Sequence, residues 1–573
     1  MKKYHTLLVV AIIVLFIALL TWFIPITYMN NGELIASDKV QAGIVSVTSY
    51  SLFTFYNFIY VFIYLLFVGG LYGLLGKCSA YRVLLDKIVK HVKKFKLLYL
   101  IVTVLVISAI VSFTGYTFEA LIFLPFIASV VLLLGYDKIT AALVTVGSIS
   151  TGVIGSIFGK LVAGKLNSVL ESLTYTDYWL PKLIILVVSC ALLIFFVVIY
   201  AKKKSEKEEI EESFLIPKKV TSSKVKVWPL ATILTIFIVV YVLAGIDWAG
   251  AFKVNFFSDA LTTINSWPIF SKYIVVTVSA LVVLYNLAKA FIKRAKEDKK
   301  DAKLMSKRRM IVTIIFGVIA LLAFLKIMLE DVFKATDFMN KALEAIKVDT
   351  FIKDFTFEKL LGSVVAFGSW TYNEYLMLIM VLILSIKFTY RIKLADVIGN
   401  IGDGFKKVLY GALVVLLSYT VLILISSHPI GLTIAKPILE ITNGFNVFTY
   451  PIATLFSALF NTDFAYYEYG VLNVTYAATA YTGSGVIPLA EFITQTMYGF
   501  AMYFAPTSVI LLFTLSLLDI KYTTWLKKIW LLLILLLLAI FAVYLILFNE
   551  LVIGIIVAVV DIIAVVLYAI FSK

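Results

Sequence analysis

Residues 97–135 read LLYLIVTVLVISAIVSFTGYTFEALIFLPFIASVVLLLG. A single membrane crossing takes about 20 apolar residues, so this run is too long for one span. Its middle, Ser112-Phe113-Thr114-Gly115, is polar and helix-breaking. Glu119 follows in the same run and would sit in hydrocarbon if both limbs crossed. A re-entrant hairpin that enters and leaves from one side removes that cost. Such backbone is tolerated only where protein or a water-filled cavity covers it.

The composition around this stretch points the same way. Of 573 residues, 62% are hydrophobic and 15% charged, and the mean hydropathy is +1.02. Soluble domains are about 45–50% apolar and about 25% charged. The chain is therefore an all-α polytopic membrane protein, which excludes a soluble enzyme, a secreted scaffold and a disordered chain. Fifty basic residues against 34 acidic ones give +16, which the positive-inside rule explains without a nucleic-acid partner. Two cysteines, Cys78 and Cys190, support neither a disulfide framework nor a thiolate metal site. His5, His91 and His428 are too scattered for a His-based metal centre or triad.

Apolar runs occupy 7–26, 50–76, 97–135, 139–159, 178–201, 227–247, 272–292, 310–329, 371–388, 408–426, 486–518, 529–548 and 551–571. The first suits a span better than a signal peptide. Basic loops at 77–96, 202–226, 293–309 and 391–407 are expected on the cytoplasmic side. Counting crossings from a cytoplasmic N-terminus gives about twelve spans and places both termini inside. It also reverses the helix at 371–388 relative to the first helix. The stretch 440–485 must then begin and end outside, as a second hairpin entering from the external face. Helix, helix, hairpin, broken helix, helix recur in both halves with opposite orientation, the pattern of secondary transporters with a site at mid-membrane. The expected layout is a first repeat at 1–201 with its hairpin at about 97–135, then a linker and three connecting helices at 202–370. A second repeat at 371–548 carries a hairpin at about 440–485, and an extra helix occupies 549–573.

The residues expected to bind substrate or ion lie at the interruptions. In the first hairpin they are Thr114, Gly115, Thr117 and Glu119; in the first broken helix they are Ser148, Ser150 and Thr151 within Gly147–Gly152. In the second hairpin they are Asn461, Thr462 and Asp463, near Glu468 and a group of aromatics. In the second broken helix they are Gln495, Thr507 and Ser508, with Pro506 at the break and Glu491 one turn before Gln495. Two plainer readings stand beside these. Small residues also let helices pack closely, and the aromatics and acids of 460–469 also fit an interfacial belt. No ATP-binding motif is visible, so an ion gradient, Na⁺ or H⁺, or exchange would drive transport, with no other cofactor. No cluster of acids, histidines or metal ligands suggests a membrane enzyme, and no filter repeat suggests a channel.

At these residues the sequence resembles the YfcC-like branch of the DcuC (C4-dicarboxylate carrier) family in the ion-transporter superfamily. The stretches are Gly115 to Glu119 with Phe123-Leu124-Pro125, Gly135-Tyr136-Asp137, and Gly147 to Gly155-Ser156. In the second half they are Ala366 to Trp370, Tyr410 to Val415, Gln495 with Gly499-Phe500, Pro506-Thr507-Ser508, and Trp525-Leu526-Lys527. The resemblance implies a scaffold and a mobile transport domain, elevator-like alternating access, a homodimer, and residence in a bacterial cytoplasmic membrane. It further implies a small-molecule substrate: dicarboxylates for the family, amino acids for the YfcC-like branch, including arginine/ornithine exchange. The sequence departs from the pattern at Phe118, which replaces the first of two acids, at Ile157-Phe158-Gly159, at Thr462-Asp463-Phe464, and at Tyr498 and Met502. With Glu119, Asp463 and Glu468 at the expected site and no Lys or Arg in either hairpin tip, the expected substrate is an amino acid, moved by antiport or with Na⁺ or H⁺. A C4-dicarboxylate carrier and a non-transporting sensor or scaffold are the alternatives, because helix N-termini bind carboxylates without cationic side chains.

Overall fold

The computed structural model describes residues 5–30, 33–157, 179–203, 214–218, 225–246, 281–283, 285–286, 310–318, 370–442, 445–460, 487–548 and 550–571. The chain divides into two compact units. One comprises Met1–Asp247 with Phe367–Lys573, and the other Trp248–Ala366. Of the latter, the described residues are helical. The expected spans at 272–292 and 310–329 lie largely outside the described residues, as does the second hairpin from 461 to 486.

In the first unit the elements run α1 (His5–Leu20), a small β-hairpin (Thr27–Asn30 paired antiparallel with Glu33–Ala36), α2 (Ile44–Lys77), α3 (Ser79–Val92) and α4 (Lys96–Thr114). After a 3-10 turn (Phe118–Phe123) come α5 (Leu124–Leu133), α6 (Lys138–Ala142), a π turn (Leu143–Gly147), α7 (Ser148–Ile154), α8 (Trp179–Lys203) and α9 (Trp228–Gly245). The second half supplies α10 (Tyr372–Tyr390), α11 (Leu394–Ser427), α12 (Ile430–Glu440), α13 (Thr449–Phe460), α14 (Ile487–Ala501), α15 (Val509–Leu518), α16 (Tyr522–Leu547) and α17 (Leu551–Phe571). Among the described residues eight helices are long and apolar enough to cross a membrane. Their outward faces carry exposed Leu, Ile, Val and Phe, on α17 almost all the way round. Contiguous apolar surface of that extent belongs in lipid. The protein is an all-α polytopic membrane protein.

Two details differ from the sequence expectation. The β-hairpin lies in a segment read as loop, although Asn31-Gly32 separates its strands in the sequence, a strong hairpin signal. The helix expected at 408–426 begins at Leu394, because its first turns alternate apolar residues with solvated ones. Lys406 and Asp403 there are exposed, so charge does not stop the helix. At 34 residues and 1.5 Å per residue, α11 is about 51 Å long and overreaches the hydrocarbon core of about 30 Å.

α2 is also 34 residues long and packs along α11 as the most extensive helix pair in the unit. Tyr50 meets His428, Phe58 stacks on Tyr419 with ring centroids 4.3 Å apart, and Phe67 meets Phe405. Gly73 meets the Asn400 carbonyl. Rising numbers on α2 match falling numbers on α11, so the two helices are antiparallel. Equivalent elements begin about 350 residues apart: Ile44 and Leu394, Ser79 and Ile430, Lys138 and Ile487. The two long helices α2 and α11 run in opposite directions, as the inverted-repeat expectation requires of that pair. α7 and α14 repeat this crossing at the centre, with Gly499 against Ile154 and Tyr503 against Gly147 and Thr151.

Candidate functional site

The run that opened the sequence argument folds back on itself. α4 ends at Thr114 where Gly115 takes a left-handed φ of +71° and donates its N–H to the Val111 carbonyl, a helix stop that suits glycine. The chain then returns through α5, which packs on α3, and at Tyr136 its ring lies 5.9 Å from Lys96 Nζ, where α4 began.

The tip between the limbs is buried. Thr114 Oγ1 donates to the Ile110 carbonyl and accepts from the Tyr116 N–H. Glu119 turns its carboxylate back into the tip, where Oε2 accepts the Thr117 N–H at 3.1 Å. Its backbone carbonyl accepts from Tyr64 Oη at 2.9 Å and Tyr241 Oη at 3.0 Å, and those two hydroxyls are 2.6 Å apart. Tyr116 Oη donates to the Tyr241 carbonyl and lies 3.0 Å from Tyr375 Oη. Tyrosines from α2, α9 and α10 therefore enclose the tip, a cluster with no signal in the sequence, since tyrosine in an apolar run reads as packing.

The second broken helix stops at Ala501 and restarts at Val509. Pro506 has no N–H to give, and side chains take up the freed carbonyls. Trp525 Nε1 donates to the Tyr503 carbonyl at 2.8 Å, Tyr522 Oη to Phe504, and Ser508 Oγ to Met502 at 3.1 Å. Thr507 Oγ1 donates to the Leu459 carbonyl at 2.7 Å. Ser508 is the N-cap of α15 and accepts the Leu511 N–H. The hairpin tip and this N-terminus share one small cavity, lined by Thr117, Phe118, Tyr498, Met502, Ser508, Val509 and Ile510. Of the residues expected from the sequence, Thr117 and Ser508 meet there; Glu119 is beside the cavity but not in its wall. As it stands the cavity has room for about one water molecule.

The stretch expected as the first broken helix is not unwound at Gly147–Gly152. There α6, the π turn and α7 continue as helix to Ile154, because the small residues keep their helical bonds, and this helix forms a second polar centre. Ser148 Oγ donates to the Val144 carbonyl at 2.5 Å and its own carbonyl accepts from Ser108, while Thr151 Oγ1 pairs with Tyr503 Oη at 2.6 Å. Ser150 is fully buried and its hydroxyl has no hydrogen-bond partner among the described residues. Where α7 ends, Ser112 Oγ donates to the Gly155 carbonyl at 2.7 Å, and Gln495 Nε2 reaches across from α14 to the Ser156 carbonyl at 2.8 Å. One turn before Gln495, Glu491 pairs with Lys182 of α8 at 3.4 Å, with both side chains almost fully buried. In the sequence Lys182 opens an apolar run after Trp179 and Pro181, where a lysine reads as an interfacial anchor. Asn461, Thr462, Asp463 and Glu468 lie outside the described residues. Among the described residues no three His, Cys, Asp or Glu side chains cluster as metal ligands. Oxygen donors are nonetheless present as hydroxyls and helix-end carbonyls, which suit a hard monovalent ion.

Residues 4–350 match the family described as DcuC, C4-dicarboxylate anaerobic carrier. That stretch takes in the first hairpin, the first broken helix and Lys182, while Gln495, Thr507 and Ser508 fall beyond it. Neither the curated proteins nor the solved structures contain a match to the chain.

Proposed function

The chain belongs to the DcuC family, C4-dicarboxylate anaerobic carriers, and from that premise we propose that it is a secondary carrier of a C4-dicarboxylate. The observation that carries this reading is the meeting of Thr117, at the first hairpin tip, with Ser508 and the N-terminus of α15 in one cavity. A helix N-terminus presents N–H groups and a positive dipole end to an anion, and the Thr117 hydroxyl adds a donor. The amino-acid reading drew its support from acidic groups at the site. Its described member, Glu119, spends Oε2 on the Thr117 N–H and does not line the cavity. The family and the geometry thus both favour the anion over a basic amino acid.

In this proposal the small cavity is a closed state, and substrate enters when the tip and the α15 N-terminus separate. Elevator-like movement of the hairpins with the broken helices would carry the site across the membrane. A homodimer, coupling to Na⁺ or H⁺, a bacterial cytoplasmic membrane and both termini inside belong to the same proposal. The test is uptake of labelled succinate, fumarate, arginine and ornithine into proteoliposomes, with Na⁺ or proton gradients imposed singly. Saturable succinate or fumarate uptake is expected. Replacing Thr117 by Val should raise the KM for succinate at least about tenfold, the usual scale of a lost hydrogen bond to a charged group. Uptake of arginine but not succinate would return the function to amino-acid exchange.

A further inference from the structure

Lys182 is the sole fully buried lysine among the described residues. Its side chain is 1% exposed and that of its partner Glu491 2%. An ionised pair in the apolar interior of a membrane protein is costly, and by default marks a substrate or ion path.

The pair lies one turn from the residues that meet the end of α7. Glu491 and Gln495 stand one turn apart on α14, hence on one face. Gln495 Nε2 holds the Ser156 carbonyl at 2.8 Å. On α8, Leu186 follows Lys182 by one turn and packs against Gly155. Both faces therefore converge on Gly155 and Ser156. Gln495 Oε1, buried in the same corner, has no hydrogen-bond partner among the described residues.

Resting on the dicarboxylate reading above, we propose that Lys182 is a binding residue for one substrate carboxylate, and that Glu491 is the internal carboxylate that occupies it in the empty carrier. Substrate exchanges one carboxylate for another at the same ammonium, so Lys182 is never left buried and unpaired. The reverse exchange on release spares the carrier a bare buried charge on its return. Glu491, once displaced, remains close to the Lys182 charge. The arrangement also selects for anions, since a neutral or cationic ligand cannot replace Glu491.

Four variants, measured for succinate uptake and for folding by size exclusion and thermal unfolding, separate this role from a structural ion pair. Lys182→Met should fold and raise the KM at least about tenfold or abolish uptake, and Lys182→Arg should keep part of it. Glu491→Gln should retain uptake with an unchanged or lower KM, because the competing carboxylate is gone. The double variant Lys182→Met/Glu491→Gln should fold as well as wild type yet stay inactive. A merely structural pair gives the opposite pattern: both single neutral variants fail and the double variant recovers uptake. Recovery in the double variant overturns the assignment of Lys182 while leaving the dicarboxylate reading intact. If folded wild-type protein takes up arginine and no dicarboxylate, that reading falls and this one with it.

Discussion

Glu119 is an acid in an apolar run, and its position in the tip explains why it is tolerated there. Its Oε2 takes the N–H of Thr117, two residues back, and so closes the turn that Gly115 opens. The neighbouring Tyr64 and Tyr241 hydroxyls hold the Glu119 carbonyl rather than its carboxylate. Removing a buried acceptor leaves its donor unsatisfied, at about 1–3 kcal/mol. Glu119→Ala should therefore lower the thermal stability of detergent-purified protein by that amount, and Glu119→Gln, which keeps an oxygen at the position, by clearly less. Equal melting temperatures for wild type and Glu119→Ala would remove the turn-closing role. That an acid sits here was legible in the sequence. Where its carboxylate turns was not, because a two-residue backbone contact has no periodic or compositional signature. Lys182 was hidden for a related reason: its depth depends on α14 covering it, a contact across 309 residues of chain.

At the scale of elements, the antiparallel pair α2 and α11 depends on glycines. A Cβ on Gly404 would overlap the Gly69 carbonyl, and one on Gly73 would overlap the Asn400 carbonyl. Backbone meets backbone there, and neither side has a flexible group to yield. Gly404→Ala should destabilise the protein by about 1–3 kcal/mol, the usual cost of overpacking. Gly399 and Gly402, on the same helix, have open space where a Cβ would go. Alanine at either should be neutral or stabilising by up to about 1 kcal/mol, because helical glycine costs backbone entropy. Thermal unfolding of the three variants side by side checks both signs. Hydropathy placed the helices to within a few residues at 178–201, observed as Trp179–Lys203, and at 371–388, observed as Tyr372–Tyr390. It misjudged the start of α11 because a helix that leaves the bilayer keeps its hydrogen bonds while its side chains turn polar. Which glycines lie at a crossing was not readable, since Gly399, Gly402 and Gly404 differ only in what faces them.

At the scale of the whole chain, the antiparallel packing of α2 and α11 makes a prediction about sidedness. α3 and α12 follow the two long helices at equivalent places, and both are short, amphipathic and charged. Because α2 and α11 run in opposite directions, the elements that follow them emerge at opposite ends of that pair. Placed in a bilayer, α3 with its excess of lysines belongs on the cytoplasmic side, and α12 with Glu440 on the external side. A single cysteine at Lys87 or at Glu440, both exposed, reports this directly. The natural Cys78 and Cys190 are buried and can first be replaced by serine. In intact cells a membrane-impermeant maleimide should label the Glu440→Cys variant and not the Lys87→Cys variant, and opening the cells should make the second reactive. The charge count and the antiparallel packing reach this outcome separately, one through loop lysines and the other through helix contacts. Labelling of both positions from the outside would contradict the two together.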